Sequence, residues 1–289
     1  MNSTESYTLK FRVPPGSQIR LAETDAGFTG EFASKKAAKD ELKRIEDRLN
    51  ELQYLLHASA EHALLLVFQA KDAGGKDGTI KFVLGAMNPQ GCVISNFKVP
   101  TAEEAAHDFL WRCHKAAPAK GQVGVFNRSH YEDVLVVRVR NLAPEHVWSK
   151  RFDHINNFER LLADNGTRIL KFYLHVDPDE QLERFADRLN DPHRQWKISD
   201  ADYSERRLDS QYDEAFEDVF AQCSTEHAPW FVIPANRKWY RNVAVGRIVI
   251  EALESMDLKT PAPSVDLEEI RKKYHAAVER AKQRKQADD

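Results

Sequence analysis

The sequence has 289 residues, of which 42% are hydrophobic and 30% charged, the composition of a globular protein, so general disorder is excluded. Its 42 lysine and arginine residues stand against 45 aspartate and glutamate residues. The resulting net charge of −3 gives no overall field that would attract nucleic acid. Any site for a polyanion must therefore be a local cluster of basic side chains.

The spacing of the cysteines and the length of the apolar runs predict the cellular compartment of the protein. Cys92, Cys113 and Cys223 lie far apart, without the spacing of a zinc site or a disulfide framework. The polar N-terminal segment lacks the apolar core of a signal peptide, and the longest apolar run, Ala63–Phe68, is too short to cross a bilayer. We expect free thiols, a cytoplasmic location, and neither a membrane nor a nucleic acid as partner.

The first predicted elements are an extended arm over residues 1–33 and a long helix from Ser34 to about Ser59. Apolar residues in this helix recur at alternating spacings of three and four, which gives one apolar stripe. The stripe consists of Leu42, Ile45, Leu49, Leu52 and Leu56. Packing within its own domain is the favoured interpretation, and an oligomer contact is the alternative.

Five short apolar runs rich in β-branched residues follow, and helical patterns separate them. The runs are Ala63–Gln69, Cys92–Phe97, Val123–Phe126, Ile169–Val176 and Trp230–Ile233. Strands that are apolar on both faces and alternate with helices predict a parallel sheet covered on both sides.

Capping signals mark several of the intervening helices. Thr101-Ala-Glu-Glu104 is a capping box that predicts a helix with Ala105, Phe109, Leu110 and Cys113 facing inward. Asp177-Pro-Asp-Glu180 predicts a second helix start, and Asn190 precedes the polar segment 191–210. This segment is interpreted as a mobile lid, with a solvated surface loop as the alternative. A terminal helix is predicted from Val265 onward.

The segment Ala70–Thr79 joins a predicted strand to a predicted helix, the context of a phosphate-binding loop. Gly74, Gly75 and Gly78 allow backbone N–H groups to turn toward an anion, and Lys76 adds a point charge. Ala70 and Asp77 replace the glycine and the hydroxyl residue of the common pattern. A carboxylate among phosphates requires a cation between them, so we interpret Asp72 as a Mg²⁺ ligand, with a turn-forming role as the alternative.

Polar residues concentrate again after the third predicted strand, in Phe126–Asp133. Parallel sheets bind ligands at the carboxyl ends of their strands. Arg128 can bridge phosphoryl oxygens, and Glu132 and Asp133 can offer oxygen to a metal. Capping of the next segment is the structural alternative for these side chains.

Five motifs in order resemble the polyphosphate kinase 2 family, over roughly residues 35 to 257. They are Phe68-Gln-Ala-Lys-Asp-Ala-Gly-Gly-Lys-Asp-Gly-Thr-Ile80, Phe97-Lys-Val-Pro-Thr101, Asp108-Phe-Leu-Trp-Arg112, Phe126-Asn-Arg-Ser-His-Tyr131 and Trp196-Lys-Ile-Ser199. The resemblance implies a three-layer α/β P-loop kinase fold similar to thymidylate kinase, with a five-stranded parallel sheet, a helical lid at about 185–212, and N- and C-terminal helical extensions. The kinase domain then spans 34–260 and the helical tail 261–289.

The resemblance also implies chemistry: Mg²⁺-dependent transfer of the terminal phosphoryl group of inorganic polyphosphate to nucleotides. Mn²⁺ is a potential substitute for Mg²⁺. Asn127-Arg-Ser-His-Tyr-Glu-Asp133 resembles the subgroup that uses both AMP and ADP, so adenine nucleotides are the expected acceptors. An ATP-dependent nucleoside monophosphate kinase, a strict ADP or GDP polyphosphate kinase, and a non-enzymatic nucleotide-binding module are the alternatives. A homo-oligomer, either a dimer or a tetramer, is expected.

Carried over residue by residue, the resemblance assigns three sets of side chains. The catalytic residues are Asp72, Lys76 and Arg128. The predicted phosphate-binding residues are Gly74, Gly75, Lys76, Asp77, Gly78, Thr79, Lys81, Arg128, Arg188, Arg194 and Lys197, and the predicted nucleotide-binding residues are Asn96, Lys98, Arg112 and Asn127. Many family members carry aspartate where this chain has Asn127, so Asp133 is predicted as the second metal carboxylate, with Glu132 in reserve.

Overall fold

The structure is a computed structural model that describes residues 6–198 and 200–288. Residues 1–5 of the predicted arm, Ser199 of the predicted lid, and Asp289 lie outside the described residues. The chain divides between Leu258 and Lys259 into two compact units.

One sheet of five parallel strands forms the centre of the larger unit. Its strands are β1 (Ala63–Gln69), β2 (Cys92–Asn96), β3 (Val123–Asn127), β4 (Thr167–His175) and β5 (Trp230–Pro234), in the spatial order β2-β3-β1-β4-β5. Every residue of the central strand β1 is buried, as expected of a parallel sheet covered on both faces. The predicted five-stranded α/β fold is confirmed.

Helices cover both faces of this sheet. In chain order they are α1 (Tyr7–Phe11), α2 (Lys39–Ser59), α3 (Lys76–Gly85), α4 (Ala102–Ala105), α5 (Trp111–Ala116), α6 (Val136–Val139), α7 (Glu145–Trp148), α8 (Arg151–Asp164), α9 (Pro178–Asn190), α10 (Asp200–Arg206), α11 (Asp209–Cys223) and α12 (Lys238–Glu254). Helices α2, α3 and α12 bury their apolar side chains in one core, and α8 and α11 bury theirs in the core on the other face.

The apolar stripe of α2 packs inside its own domain, so the favoured interpretation is confirmed. Ile45, Leu49, Leu52 and Leu56 are buried, and Leu42 packs at the edge of the same core. A close approach to α12 makes this packing possible, because a side chain at Gly246 would collide with Ile45.

The single helix predicted after Thr101 is wrong: α4 and α5 are separate. The capping box is present, with the Thr101 N–H donating to Glu104 and the Glu104 N–H donating to Thr101. The Asp108 side chain then accepts from the Leu110 N–H at 2.9 Å, a local turn that competes with a continuous helix. Ala105 is consequently exposed, whereas Cys113 is buried as predicted.

The segment before α2 is anchored to the body of the domain. The carboxylate of Glu251 accepts hydrogen bonds from the Tyr7 and Thr8 N–H groups at 2.8 and 3.0 Å, at the start of α1. Arg12 pairs with Phe231 in an isolated antiparallel bridge. The N-terminal segment is therefore part of the packed structure from α1 onward.

The helix predicted at Asp177 is present as α9, with Asp177 accepting from the Glu180 N–H at 2.8 Å and Asn190 as its last residue. The smaller unit contains α13 (Leu267–Asp288). Within the described ranges, no helix combines the length and the apolar character that a membrane crossing requires.

Candidate active site

The loop between β1 and α3 forms the wall of a cavity of about 440 Å³ at the carboxyl edge of the sheet. Gly75 precedes the first residue of α3 with a φ of +95°, a left-handed conformation that glycine adopts without strain. The Lys76 ammonium donates to the Ala70 carbonyl at 2.8 Å, which ties the two ends of the loop together. The loop therefore has the strand–turn–helix geometry that the glycine pattern predicts for a phosphate-binding loop.

Most of the predicted phosphate-binding residues meet in this cavity. The predicted side chains and glycines that line it are Asp72, Gly74, Gly75, Lys76, Asp77, Gly78, Asn127, Arg128, Arg188, Arg194 and Lys197. Three charged residues that the sequence reasoning missed, Arg184, Asp187 and Lys238, line it as well. Seven basic side chains thus line the cavity with three acidic ones, which gives it a local surplus of positive charge in a chain of net negative charge.

Two predicted phosphate-binding residues lie elsewhere. Thr79 is buried, and its hydroxyl donates to the Gly75 carbonyl at 3.2 Å inside the first turn of α3. Lys81 is exposed and lines a separate groove between α2 and α3. The hydroxyl of Thr79 therefore cannot replace the metal-binding hydroxyl that Asp77 displaces.

Arg128 connects the phosphate loop to the segment after β3. Its guanidinium lies 3.3 Å from Asp72 and 3.9 Å from Glu132, between two carboxylates. Its backbone has a φ of +59°, unusual for a residue other than glycine, and its N–H donates to the Phe68 carbonyl at 3.0 Å. This strained conformation brings Arg128 to the mouth of the cavity.

The two candidate metal carboxylates occupy different surroundings. Glu132 lines a second cavity of about 270 Å³ together with Asp72 and Arg128. Asp133 lies 3.0 Å from Arg151 and 3.8 Å from Arg112, and it lines neither cavity. Two arginines therefore already neutralise the Asp133 carboxylate, whereas Glu132 and Asp72 line a common cavity.

No cluster of three or more His, Cys, Asp and Glu side chains able to hold a metal ion occurs in the described part of the chain. Asp72 and Glu132 contribute one carboxylate each, and both carboxylates lie near the Arg128 guanidinium. Such a pair suits a cation that takes its remaining ligands from substrate phosphates and water, which is how Mg²⁺ commonly binds.

The predicted nucleotide-binding residues separate into two groups. Asn127 donates to Asp77 at 3.2 Å and to Asn96 at 2.9 Å, so these three side chains form a polar chain beside α3. Arg112 is buried, donates to the Lys98 carbonyl at 2.8 Å and stacks on Phe97. Neither Arg112 nor Lys98 lines the cavities at the phosphate loop, and these contacts give Arg112 a structural role.

The polar segment after α9 reaches the phosphate loop through an ion pair. Lys197 lies 3.4 Å from Asp77. Although burial acts to raise the pKa of Asp77, hydrogen bonds from Asn127 and Lys197 outweigh it and lower that pKa. Asp77 is therefore ionised at neutral pH and holds Lys197 over the cavity.

Lys76 is the titrating group of the cavity. Burial, followed by the charge of Arg128, lowers the pKa of Lys76 to about 8. The arrangement therefore presents converging cations, a lysine near its pKa, and two carboxylates for a metal, with no paired nucleophile and base. Such a site can align phosphoryl groups and neutralise their charge.

Comparison with known proteins identifies relatives of this site. The family model described as polyphosphate kinase 2 matches residues 32–261. The chain is 49% identical over 262 residues to the AMP/ADP-polyphosphate phosphotransferase of Meiothermus ruber, covering 90% of this chain and 98% of that protein. It is 42% identical to the ADP-polyphosphate phosphotransferase of Rhodopseudomonas palustris, covering 88% and 92% of the two chains.

A solved structure gives the same result. The crystal structure of polyphosphate kinase 2 from Arthrobacter aurescens TC1 superposes with a TM-score of 0.90 at 41% identity, over 94% of this chain and 97% of that one. The resemblance seen in the five sequence motifs is thereby confirmed.

Proposed function

Because the chain belongs to the polyphosphate kinase 2 family, we propose that it transfers the terminal phosphoryl group of inorganic polyphosphate to AMP and ADP, forming ADP and ATP. The observation that carries the proposal is the cavity with seven basic side chains between the phosphate loop and α9. Such a surplus of positive charge suits two polyanions that must approach each other. The activity in the name of the Meiothermus ruber relative supports AMP and ADP as acceptors.

The chemistry follows from the charges on the substrates. The terminal phosphate of AMP or ADP is already ionised near neutral pH, so the attacking oxygen needs no general base. Lys76 and Arg128 stabilise the charge on the phosphoryl group during in-line transfer, and the glycine turn fixes its position. Closure of the segment that carries Lys197 excludes water, which would otherwise compete as the acceptor.

Asp72 and Glu132 would hold Mg²⁺, or Mn²⁺ in its place, at the edge shared by the two cavities. When bound, the ion neutralises phosphate charge that would otherwise repel these carboxylates. Burial raises the pKa of Glu132 despite the charges of Arg128 and Lys76, so metal binding also competes with a proton there.

Matched substitutions separate the two candidate carboxylates. Glu132→Gln is expected to raise the Mg²⁺ concentration needed for half-maximal activity by about tenfold or more. Asp133→Asn is expected to lower Tm, because it weakens the contact with Arg151, and to leave the Mg²⁺ requirement unchanged. Activity titrations against Mg²⁺ and thermal unfolding measure both effects. If only Asp133→Asn raised the Mg²⁺ concentration needed for half-maximal activity, Asp133 and not Glu132 would be the metal ligand.

The proposed reaction is tested by incubating purified protein and Mg²⁺ with AMP and either polyphosphate or ATP, and separating the nucleotides by ion exchange. ADP and then ATP are expected with polyphosphate only. Turnover with ATP only would assign the chain to the ATP-dependent kinases, and turnover of ADP without AMP would restrict its acceptors. A Lys76→Ala preparation made in parallel controls for contaminating kinases.

The cellular setting is a further part of the proposal. Cys92, Cys113 and Cys223 are free cysteines. Free thiols fit a reducing cytoplasm, where adenine nucleotides are also available. A homo-oligomer remains our expectation, and light scattering of the purified chain measures its subunit number.

A further inference from the structure

Arg241 lies against the phosphate loop but is not among the residues that line the cavity. It belongs to the first turn of α12, and only 3% of its surface is exposed. A side chain at Gly75 would collide with one of its guanidinium nitrogens, and a Cβ at Gly78 would come within 3.3 Å of the other. Because Gly75 and Gly78 lack side chains, the Arg241 guanidinium can pack against the loop.

This buried cation has no acidic partner. Its side chain hydrogen-bonds to the neutral amide of Asn242 at 2.8 and 3.2 Å, and no carboxylate pairs with it among the side chains described in residues 6–198 and 203–284. Two other arginines differ: Arg184 pairs with Glu180 at 2.7 Å, and Arg247 in the same helix pairs with Glu41 at 2.5 Å. Burial, and then the charge of Arg184, lowers the pKa of Arg241 to about 10.

Such an arrangement destabilises the protein on its own. A buried charge without a counter-charge loses its hydration, and the N-terminal end of a helix repels a cation. The nearby guanidinium of Arg184 adds further repulsion. Proteins retain destabilising arrangements of this kind where a ligand or a reaction requires them.

We propose that Arg241 is a positioning residue, which packs against the Gly75–Gly78 turn and adds an unneutralised positive charge next to the anion-binding cavity. Its counter-charge is the polyphosphate chain or the nucleotide phosphate bound in that cavity. The proposal rests on the proposed function for the identity of these anions. It gives both glycines a role, since a side chain at Gly75 would displace the guanidinium and one at Gly78 would crowd it.

The test compares Arg241→Met with Arg247→Met, an arginine of the same helix whose charge is already paired. Tripolyphosphate with Mg²⁺ and ATP with Mg²⁺ serve as probes, with Kd measured by calorimetry and Tm by thermal unfolding. Arg241→Met is expected to keep or raise the Tm of the free protein and to raise both Kd values by about tenfold. Arg247→Met is expected to lower Tm and to leave both Kd values within about twofold of the unsubstituted chain.

A conservative variant provides the second measurement. Arg241→Lys keeps the charge, and its Kd values are expected to return to within about threefold of the unsubstituted chain. Unchanged Kd values in Arg241→Met, or failure of that variant to fold, would overturn the proposal, because either result would make Arg241 a purely structural residue. If the unsubstituted chain binds ATP but not tripolyphosphate, the proposed donor is wrong, whereas the effect of Arg241→Met on ATP binding still decides the role of Arg241.

Discussion

Lys76→Ala is expected to lower kcat/KM for phosphoryl transfer by about a thousandfold, with little change in Tm. The lysine ammonium lies in the cavity wall, tied to the Ala70 carbonyl, where it faces the phosphate-binding space beside Arg128. Its removal takes away a charge that stabilises the transferring phosphoryl group, while the apolar core below it stays intact. Initial rates at several polyphosphate and AMP concentrations, together with thermal unfolding, provide the measurement.

The depressed pKa of Lys76 gives this residue a characteristic pH dependence. Below about pH 8 the ammonium is charged in the free protein, and as the pH rises through about 8 the free protein loses that charge. The Kd for tripolyphosphate is therefore expected to increase by about tenfold between pH 7 and pH 9. Lys76→Arg should bind with no such dependence, since arginine stays protonated; an equally steep dependence in that variant would assign the titration to another group.

Glu159→Gln is expected to lower the free energy of unfolding by about 3–5 kcal/mol. Glu159 of α8 and Lys171 of β4 are both fully buried, 2.5 Å apart, and the Tyr131 hydroxyl donates to Glu159 at 2.8 Å. Burial acts to raise the pKa of Glu159, but the charge of Lys171 and a hydrogen bond from His130 outweigh it, and the pKa is lowered. The substitution leaves the lysine charge buried without its counter-charge. Urea unfolding followed by circular dichroism gives the free energy.

A double substitution provides the control for this pair. Glu159→Leu together with Lys171→Met removes both charges, and we expect it to be more stable than Glu159→Gln because no buried charge is left alone. Equal destabilisation in the single and double variants would mean that packing, not charge, dominates here. Tyr131 joins this network to the segment that carries Arg128, so the double variant also tests whether the network orients the active site.

The sequence predicted the parts of the site that lie on one continuous segment. The strand Ala63–Gln69, the glycine turn and Lys76 follow one another along the chain, and their spacing reflects local backbone geometry. The same holds for the helix start at Asp177, where a side chain caps the N–H group three residues later. Features of this kind can be predicted from a single sequence because the interacting residues are neighbours along the chain.

Residues that depend on tertiary packing were not predicted. Arg184 and Arg241 lie on helices where an arginine usually faces water, and only the fold brings them against the loop. Lys171 could have been noticed as a lone cation inside an apolar strand, but its partner Glu159 carries no local signal. The contact of Asp133 with Arg151 could not be predicted for the same reason, because Arg151 is eighteen residues away along the chain.

The ion pair between Lys197 and Asp77 has a consequence for the binding of substrate and product. An arriving phosphate group competes with Asp77 for the Lys197 ammonium, because both are anions. We expect the pair to re-form once the phosphate has left. The contact should therefore weaken the binding of product and substrate alike, because both carry phosphate groups.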